Sequence, residues 1–153
     1  MKIKTIRCHE ISEEINTVTL DEVDLAAPAA SEVQVKLMAC AVNFPDILMI
    51  QGKYQFAPPL PFAPGGEAAG SVVAVGANVR DIKPGDRVVM GIRHGGFAEV
   101  VNAPCDTIQK IPDGLSFEKA ASYKTTYLTA YVALLIRGNL QPGETLLVHG
   151  ATG

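Results

Sequence analysis

Apolar and polar residues alternate along much of the chain as far as about residue 115, which is the pattern of half-buried β-strands. In residues 32–39, Val33, Val35 and Leu37 fall on one side of such a strand, and polar residues fall on the other. Similar runs occupy residues 69–75, 87–90, 96–102 and 107–111. Turns that contain Pro and Gly separate the runs, because Pro presets φ and Gly accepts a positive φ. Short strands at intervals of about ten residues predict an all-β sandwich or small barrel in this part of the chain.

The pattern changes to helical spacing after residue 115. Ser116 is a favourable N-cap, Glu118 lies in the first turn, where the helix dipole favours an acidic group, and Gly138 follows the last periodic residue. The apolar residues that recur at helical spacing are Tyr127, Tyr131, Leu134 and Leu135. We therefore predict one amphipathic helix, and we interpret its two tyrosines as core residues.

Residues 145–149 form a short and almost wholly apolar run that predicts one more strand. A strand that is apolar on both faces is typical of a parallel sheet covered by helices. A lone parallel strand cannot form a sheet, so we expect the chain to be a fragment that is cut where a second, α/β domain begins.

The composition indicates a chain that buries a core. Hydrophobic residues make up 48% and charged residues 19% of the 153 positions, which excludes a disordered chain and a long coiled coil. The formal net charge is −3 and no basic run is present, so we expect no nucleic-acid partner. The longest apolar stretch, residues 127–136, is half the length that a membrane span needs, and no signal peptide is visible. We expect a cytoplasmic globular protein with no membrane partner.

The three cysteines, Cys8, Cys40 and Cys105, are far apart and include no Cys-x-x-Cys pair. An odd number at this spacing argues against a disulfide framework and against a zinc knuckle, and it fits a reducing compartment.

Several stretches resemble the medium-chain dehydrogenase/reductase superfamily in order and spacing. They are residues 42–46 (VNFPD), 64–70 (PGGEAAG) with 75–76 (VG), 83–88 (KPGDRV), 95–99 (GGFAE) and the tail, 140–153. More closely, the chain resembles the zinc-independent quinone oxidoreductases of the zeta-crystallin type. The resemblance covers essentially the whole chain but only the first half of a typical family member.

This resemblance implies a mainly β fold, with a GroES-like β-barrel domain over residues 1–122. Residues 123–153 would be the start of a truncated Rossmann domain that binds NADP, and they contribute its first helix and strand. The active site of the family lies in the cleft between the two domains. The run 148–153 begins like a dinucleotide fingerprint, whose further glycines and helix N-terminus are not encoded here.

The resemblance also implies that no metal is bound. Zinc-dependent relatives have a cysteine in place of Asn43 and a histidine in place of Gly66, and a catalytic zinc needs about three protein ligands. Residues 89–95 contain no cysteine and are too few for the lobe that holds a structural zinc in some relatives. On a strand, Cys40 would point to the face opposite Asn43.

Four residues match family positions in the cleft. Asn43 and Asp46 match residues beside the nicotinamide and its ribose, although an Asn-x-Pro-Asp segment is also typical of a simple turn that ends a strand at Pro45. Thr129 matches a residue that faces the nicotinamide, although a helical threonine often bonds to its own backbone. Tyr54 matches a residue of the substrate and nicotinamide pocket, although it could merely cover a loop.

No convincing catalytic acid or base is present. Glu67 has no nearby partner in the sequence, and its position suggests a buried, hydrogen-bonded structural role. The three histidines lie on separate segments, and none matches a catalytic position; they are His9, His94 and His149.

The resemblance implies an NADPH-dependent quinone oxidoreductase, a homodimer in its full-length form, that transfers hydride to a small-molecule quinone or enone. Water can protonate a hydroquinone anion, so no side-chain acid is required. One alternative is an enoyl-type reductase of activated C=C bonds, for which Tyr54 is the only candidate proton donor. Another is a non-catalytic GroES-like binding module. We expect these 153 residues to be inactive alone.

Overall fold

A computed structural model describes residues 1–150 and builds most of the chain from strands. The seven strands of this part are β1 (Lys2–Cys8), β2 (Val18–Asp24), β3 (Glu32–Ala41), β4 (Glu67–Val75), β5 (Arg87–Gly91), β6 (Val100–Pro104) and β7 (Ile108–Lys110). The five strands predicted before residue 115 therefore exist as β3 to β7, with some shifts at their ends. The largest shift concerns the run predicted at 96–102, whose first residues form a loop.

Five strands form one antiparallel sheet in the order β6-β3-β4-β5-β7. β3 lies inside this sheet, and its Val33 and Val35 are fully buried in a core that includes Val88 and Met90 of β5. Gln34, on the polar side of the predicted alternation, is buried as well. Its Nε2 donates to the backbone oxygen of Ala26 at 3.1 Å, so its burial leaves no unmet donor there.

β1 and β2 form a separate antiparallel pair that contacts the larger sheet through loops. Isolated bridges join Thr5 to Ala98 and Cys8 to Phe62. These bridges attach the hairpin to the segments that flank the larger sheet, and the mainly β architecture predicted from the alternation is confirmed.

Helices connect and cover the sheets. They are α1 (Phe44–Ile50), α2 (Phe117–Ala121) and α3 (Lys124–Tyr131); short 3₁₀ turns occur at Ile15–Thr17 and Cys105–Thr107, and a π-helical turn (Val132–Arg137) follows α3. Ala120 and Ala121 of α2 pack against Ala69 and Ile111, which places the start of the helical region directly on the sheet.

The prediction of a single helix after residue 115 is wrong. The Oγ of Ser116 does cap α2, since it accepts a hydrogen bond from the backbone N–H of Lys119 at 3.3 Å, but α2 ends after five residues. Tyr127 and Tyr131 in α3 are 65% and 54% exposed, so their assignment to the core is also wrong. Their spacing does give them a common face, but no element within residues 1–150 covers it.

The strand predicted at 145–149 is not formed, and Leu147 within it is 75% exposed. A parallel strand needs a neighbouring strand for its N–H and C=O groups, and none of the described strands pairs with this run. The predicted fingerprint at 148–153 lies partly outside the described residues. No helix within residues 1–150 has the length and apolar character that crossing a membrane requires.

Candidate functional site

The carboxylate of Glu67 joins three separate segments of the chain. Glu67 is the first residue of β4 and is only 1% exposed. Its Oε2 accepts a hydrogen bond from Nδ2 of Asn43 at 3.3 Å, and its Oε1 accepts one from the backbone N–H of Thr125 at 2.9 Å. The buried, hydrogen-bonded role predicted for Glu67 is confirmed. We call these three residues the Glu67 junction; it ties the start of α1 and the start of α3 to β4.

Asp46 fixes the turn that presents Asn43. Asn43 is the N-cap of α1, and Pro45 lies in the first turn, where its missing N–H is tolerated. The Oδ2 of Asp46 accepts from the backbone N–H of Asn43 at 2.8 Å, and its Oδ1 accepts from the backbone N–H of Gly65 at 3.0 Å. Asp46 is 2% exposed, so both oxygens serve the backbone. Its predicted contact with the cofactor stays a prediction.

The turn at Gly65 and Gly66 lies directly against the segment that follows β5. Gly65 has φ of +100°, and a Cβ on it would lie 2.7 Å from the backbone nitrogen of Phe97, so only glycine fits. Gly66 accepts a hydrogen bond from the backbone N–H of Ile92 at 2.8 Å, and a Cβ there would lie 3.3 Å from the oxygen of Ile92. The close approach leaves a surface of bare backbone at this point.

A cavity of about 770 Å³ opens between this backbone surface and the helical region. We call it the α3 cavity; its walls are Gly66, Gly91 and Ile92 on one side and Lys124, Thr125, Leu128, Thr129, Val132, Ala133 and Arg137 on the other. Its size is in the range of small-molecule sites, and most of its lining is apolar. Its polar side chains are those of Lys124, Thr125, Thr129 and Arg137.

The structure brings some of the predicted residues to this cavity and not others. Thr129 lines it. Asn43 does not, but it is one hydrogen bond from Glu67, which in turn holds Thr125 in the cavity wall. Tyr54 lies elsewhere: it packs, half-buried, against the second apolar cluster of Cys8, Met49, Ile50 and Phe62.

Burial governs the chemistry of Cys40 near this site. Desolvation, reinforced by the negative charge of Asp46, raises the pKa of the Cys40 thiol to about 12. The thiol is therefore protonated at neutral pH and is a poor nucleophile and metal ligand. The expectation that Cys40 and Asn43 lie on opposite faces of a strand does not apply, because β3 ends at Ala41 and Asn43 caps a helix.

The histidines lie away from the α3 cavity. His9 pairs with Asp21 at 2.7 Å, and His94 stacks on Phe56, where burial lowers its pKa. His149 is exposed in the tail. Within the described part of the chain, no three His, Cys, Asp or Glu side chains converge as a metal site would require. The side chains around the Glu67 junction and the α3 cavity therefore do not supply the set of ligands that a zinc ion needs.

Two cations that line the α3 cavity, Lys124 and Arg137, were not among the site residues predicted from the sequence. A signal for Lys124 was present, since residues 124, 125, 128, 129 and 132 share one face at helical spacing. The apolar face was predicted instead from Tyr127 and Tyr131, which lie on another face of the same segment.

Comparison with known proteins identifies the family. Residues 29–113, more than half of the chain, match the alcohol dehydrogenase GroES-like domain. The chain is 46% identical over 127 residues to the human synaptic vesicle membrane protein VAT-1 homolog, an alignment that covers 83% of the chain and 32% of that protein. It is 41% identical over 152 residues to a quinone oxidoreductase-like protein 2 homolog of Nematostella vectensis, with 98% and 41% covered. The chain thus spans less than half the length of these relatives.

Solved structures agree with this assignment. Human synaptic vesicle membrane protein VAT-1 homolog-like protein superposes with a TM-score of 0.95 at 34% identity, over 100% of this chain and 49% of that one. Escherichia coli quinone oxidoreductase complexed with NADPH gives 0.77 at 36% identity, over 86% and 40%. The CurK enoyl reductase gives 0.82 at 26% identity, over 94% and 45%. The chain therefore belongs to the medium-chain dehydrogenase/reductase superfamily, with a GroES-like domain of the kind found in quinone oxidoreductases.

Proposed function

We propose that this chain forms the substrate side of the cleft in an NADPH-dependent quinone oxidoreductase that works without zinc. The observation that carries the proposal is the α3 cavity: an apolar space of about 770 Å³ with Thr129 in its wall and the Glu67 junction beside it. The Escherichia coli quinone oxidoreductase complexed with NADPH, which is similar to 86% of the chain, supports the choice of cofactor.

The cavity suits a nicotinamide ring. Gly66 leaves bare backbone in the wall of the cavity, where an added Cβ would lie 3.3 Å from the oxygen of Ile92. A flat ring can lie against such a wall. The exposed hydroxyl of Thr129 can donate to a carboxamide or accept from it.

In this proposal the chain's own residues bind and orient the cofactor and the acceptor. Bound NADPH would supply the hydride. Thr129 would fix the nicotinamide end, while Asn43, held by Glu67 and Asp46, would add a neutral amide beside it. Tyr54 packs against a different apolar cluster, so its contact with the acceptor is proposed on the family resemblance alone. A quinone needs no side-chain acid, because water can protonate its reduced form.

The proposal also covers the domain organisation and the oligomeric state of the whole protein. We propose the domain boundary at residues 122 and 123 that the family resemblance implies, with a Rossmann domain beyond it. The relatives are more than twice as long as the chain, which supports a further domain. We also propose a cytoplasmic homodimer. Reduction of an activated C=C bond is the second candidate, favoured by the similarity to the CurK enoyl reductase.

Steady-state kinetics on the product of the complete open reading frame test the proposal. NADPH oxidation is followed with a simple quinone and with an enone. We expect the quinone to be reduced, and we expect Thr129→Val to lower kcat/KM about three- to tenfold, the effect of one hydrogen bond. Thr126→Val is the matched control, since Thr126 is on the same helix but does not line the α3 cavity.

The other results of this experiment favour one of the alternative functions or contradict the role of Thr129. Turnover of the enone alone supports the reductase of C=C bonds. A complete product that binds no NADPH is a binding module, and the proposal is then wrong. Equal loss in the two threonine variants contradicts the role of Thr129.

A further inference from the structure

The two charged side chains that line the α3 cavity are both cationic. Lys124 and Arg137 line it, and no aspartate or glutamate does. The four ion pairs within residues 1–150 involve neither of them. The carboxylate of Glu67 lies beside the cavity, but its two oxygens already accept hydrogen bonds from Asn43 and Thr125. The two cations of the lining therefore favour a bound anion.

Lys124 is held in place rather than extended into solvent. It is half-buried, and its Cδ, Cε and Nζ all pass 3.2–3.3 Å from where a Cβ of Gly91 would be. The aliphatic stem therefore lies flat on the Gly91 backbone, and the ammonium group stays at the cavity wall. A lysine fixed in this way loses less side-chain freedom on pairing than a mobile surface lysine would.

The rest of the lining selects for an apolar body. Ile92, Leu128, Val132 and Ala133 supply the apolar side chains of the wall, and Leu128, which faces this space, is 51% exposed. Burying these side chains under a ligand removes apolar surface from water, which favours binding. The arrangement is complementary to a molecule with an aromatic or aliphatic body and an acidic group at one edge.

We propose that the α3 cavity takes an acid-bearing acceptor, a quinone or enone that carries a carboxylate or sulfonate, and that Lys124 pairs with the acidic group. This inference rests on the proposed function, because it names the acceptor class of that same site. Arg137 adds a second positive charge to the same cavity. Two negative groups could pair with Lys124 in this cavity: the acidic group of the acceptor, or a phosphate of the cofactor. The measurements below distinguish them.

Calorimetric binding to the product of the complete open reading frame, without NADPH, tests the pairing directly. The probes are anthraquinone sulfonate and its neutral hydroxymethyl counterpart. We expect the sulfonate to bind about tenfold more tightly, and Lys124→Met to abolish that difference, since methionine keeps the stem on Gly91 and removes the charge. Lys119→Met is the control, because Lys119 is exposed on α2 and does not line the cavity.

The remaining measurements separate this inference from the function it rests on. Preferential binding of the sulfonate that is lost in Lys124→Met, with no turnover of any quinone, supports the anion site and contradicts the proposed reaction. Lys124→Met that weakens both probes equally overturns the pairing. If Lys124→Met raises the Kd of NADPH and leaves the sulfonate unaffected, the anion is a cofactor phosphate and the acceptor assignment is wrong.

Discussion

Glu67 is a carboxylate with almost no contact with water, and each of its oxygens is matched to one N–H donor. Burying a charged group is costly unless hydrogen bonds replace its hydration. Here the donors are a side-chain amide and a peptide group, and Glu67 forms no ion pair within residues 1–150. The stability of the Glu67 junction therefore depends on two acceptor oxygens at position 67 that face two N–H donors. A carboxylate side chain provides both acceptors.

Glu67→Gln tests that dependence. The amide places an NH₂ group against either Asn43 or the N–H of Thr125, so one donor faces another and one hydrogen bond is lost. We expect the free energy of unfolding to fall by about 1–3 kcal/mol. Urea denaturation measures it.

Glu22→Gln is the control, since Glu22 pairs with Lys2 on the surface and such pairs contribute less than about 1 kcal/mol. Equal stability of Glu67→Gln and the wild type would show that the carboxylate is not needed to join the segments.

Helix α2 has only five residues, too few to be stable by itself. Two features compensate: the cap from Ser116 to the N–H of Lys119, and the packing of Ala120 and Ala121 on the sheet. The backbone N–H of Thr125, at the start of α3, is bound to Glu67 in the Glu67 junction. The chain is therefore held in place both before and after the break between α2 and α3.

Ser116→Ala should lower the free energy of unfolding by about 0.5–2 kcal/mol, because it removes the cap acceptor and leaves one N–H of the first turn without a protein partner. The measurement is thermal or urea denaturation. Ser31→Ala is the comparison, since Ser31 is exposed and lies outside any helix. A loss no larger than that of Ser31→Ala would mean that packing alone holds α2.

The same element shows what a sequence can and cannot predict. Local signals gave the cap at Ser116 and the end near Gly138, because both depend on a few neighbouring residues. Whether Tyr127 and Tyr131 are buried depends on what packs over them, and that partner is not within the described residues. Helix α1 was missed because its seven residues are too few for periodicity to be visible.

For the whole molecule, alternation predicted the mainly β fold because most strands of the larger sheet have one buried face. The Glu67 junction was beyond prediction in detail, since its donors lie 24 residues before and 58 residues after the acceptor. Thr129 could be selected only through the family resemblance.

At this scale we expect the 153-residue chain alone to bind NADPH weakly. The α3 cavity is open on one side, and the phosphate-binding turn of a dinucleotide fingerprint is not encoded in full. Titration calorimetry of the chain and of the complete open reading frame product, side by side, measures the difference. Micromolar binding by the short chain would contradict the proposed division of the cleft between two domains.

The stacked pair of Tyr123 and Tyr127 has a practical consequence. Their rings lie 4.9 Å apart and both are exposed, and Tyr131 is exposed on the same helix. The chain has four tyrosines and no tryptophan, so three of its four main fluorophores sit within nine residues. Ultraviolet emission and near-ultraviolet circular dichroism of the unlabelled protein therefore report chiefly on α3. Binding of any molecule that covers this helix will change these spectra, so no dye is needed to detect it.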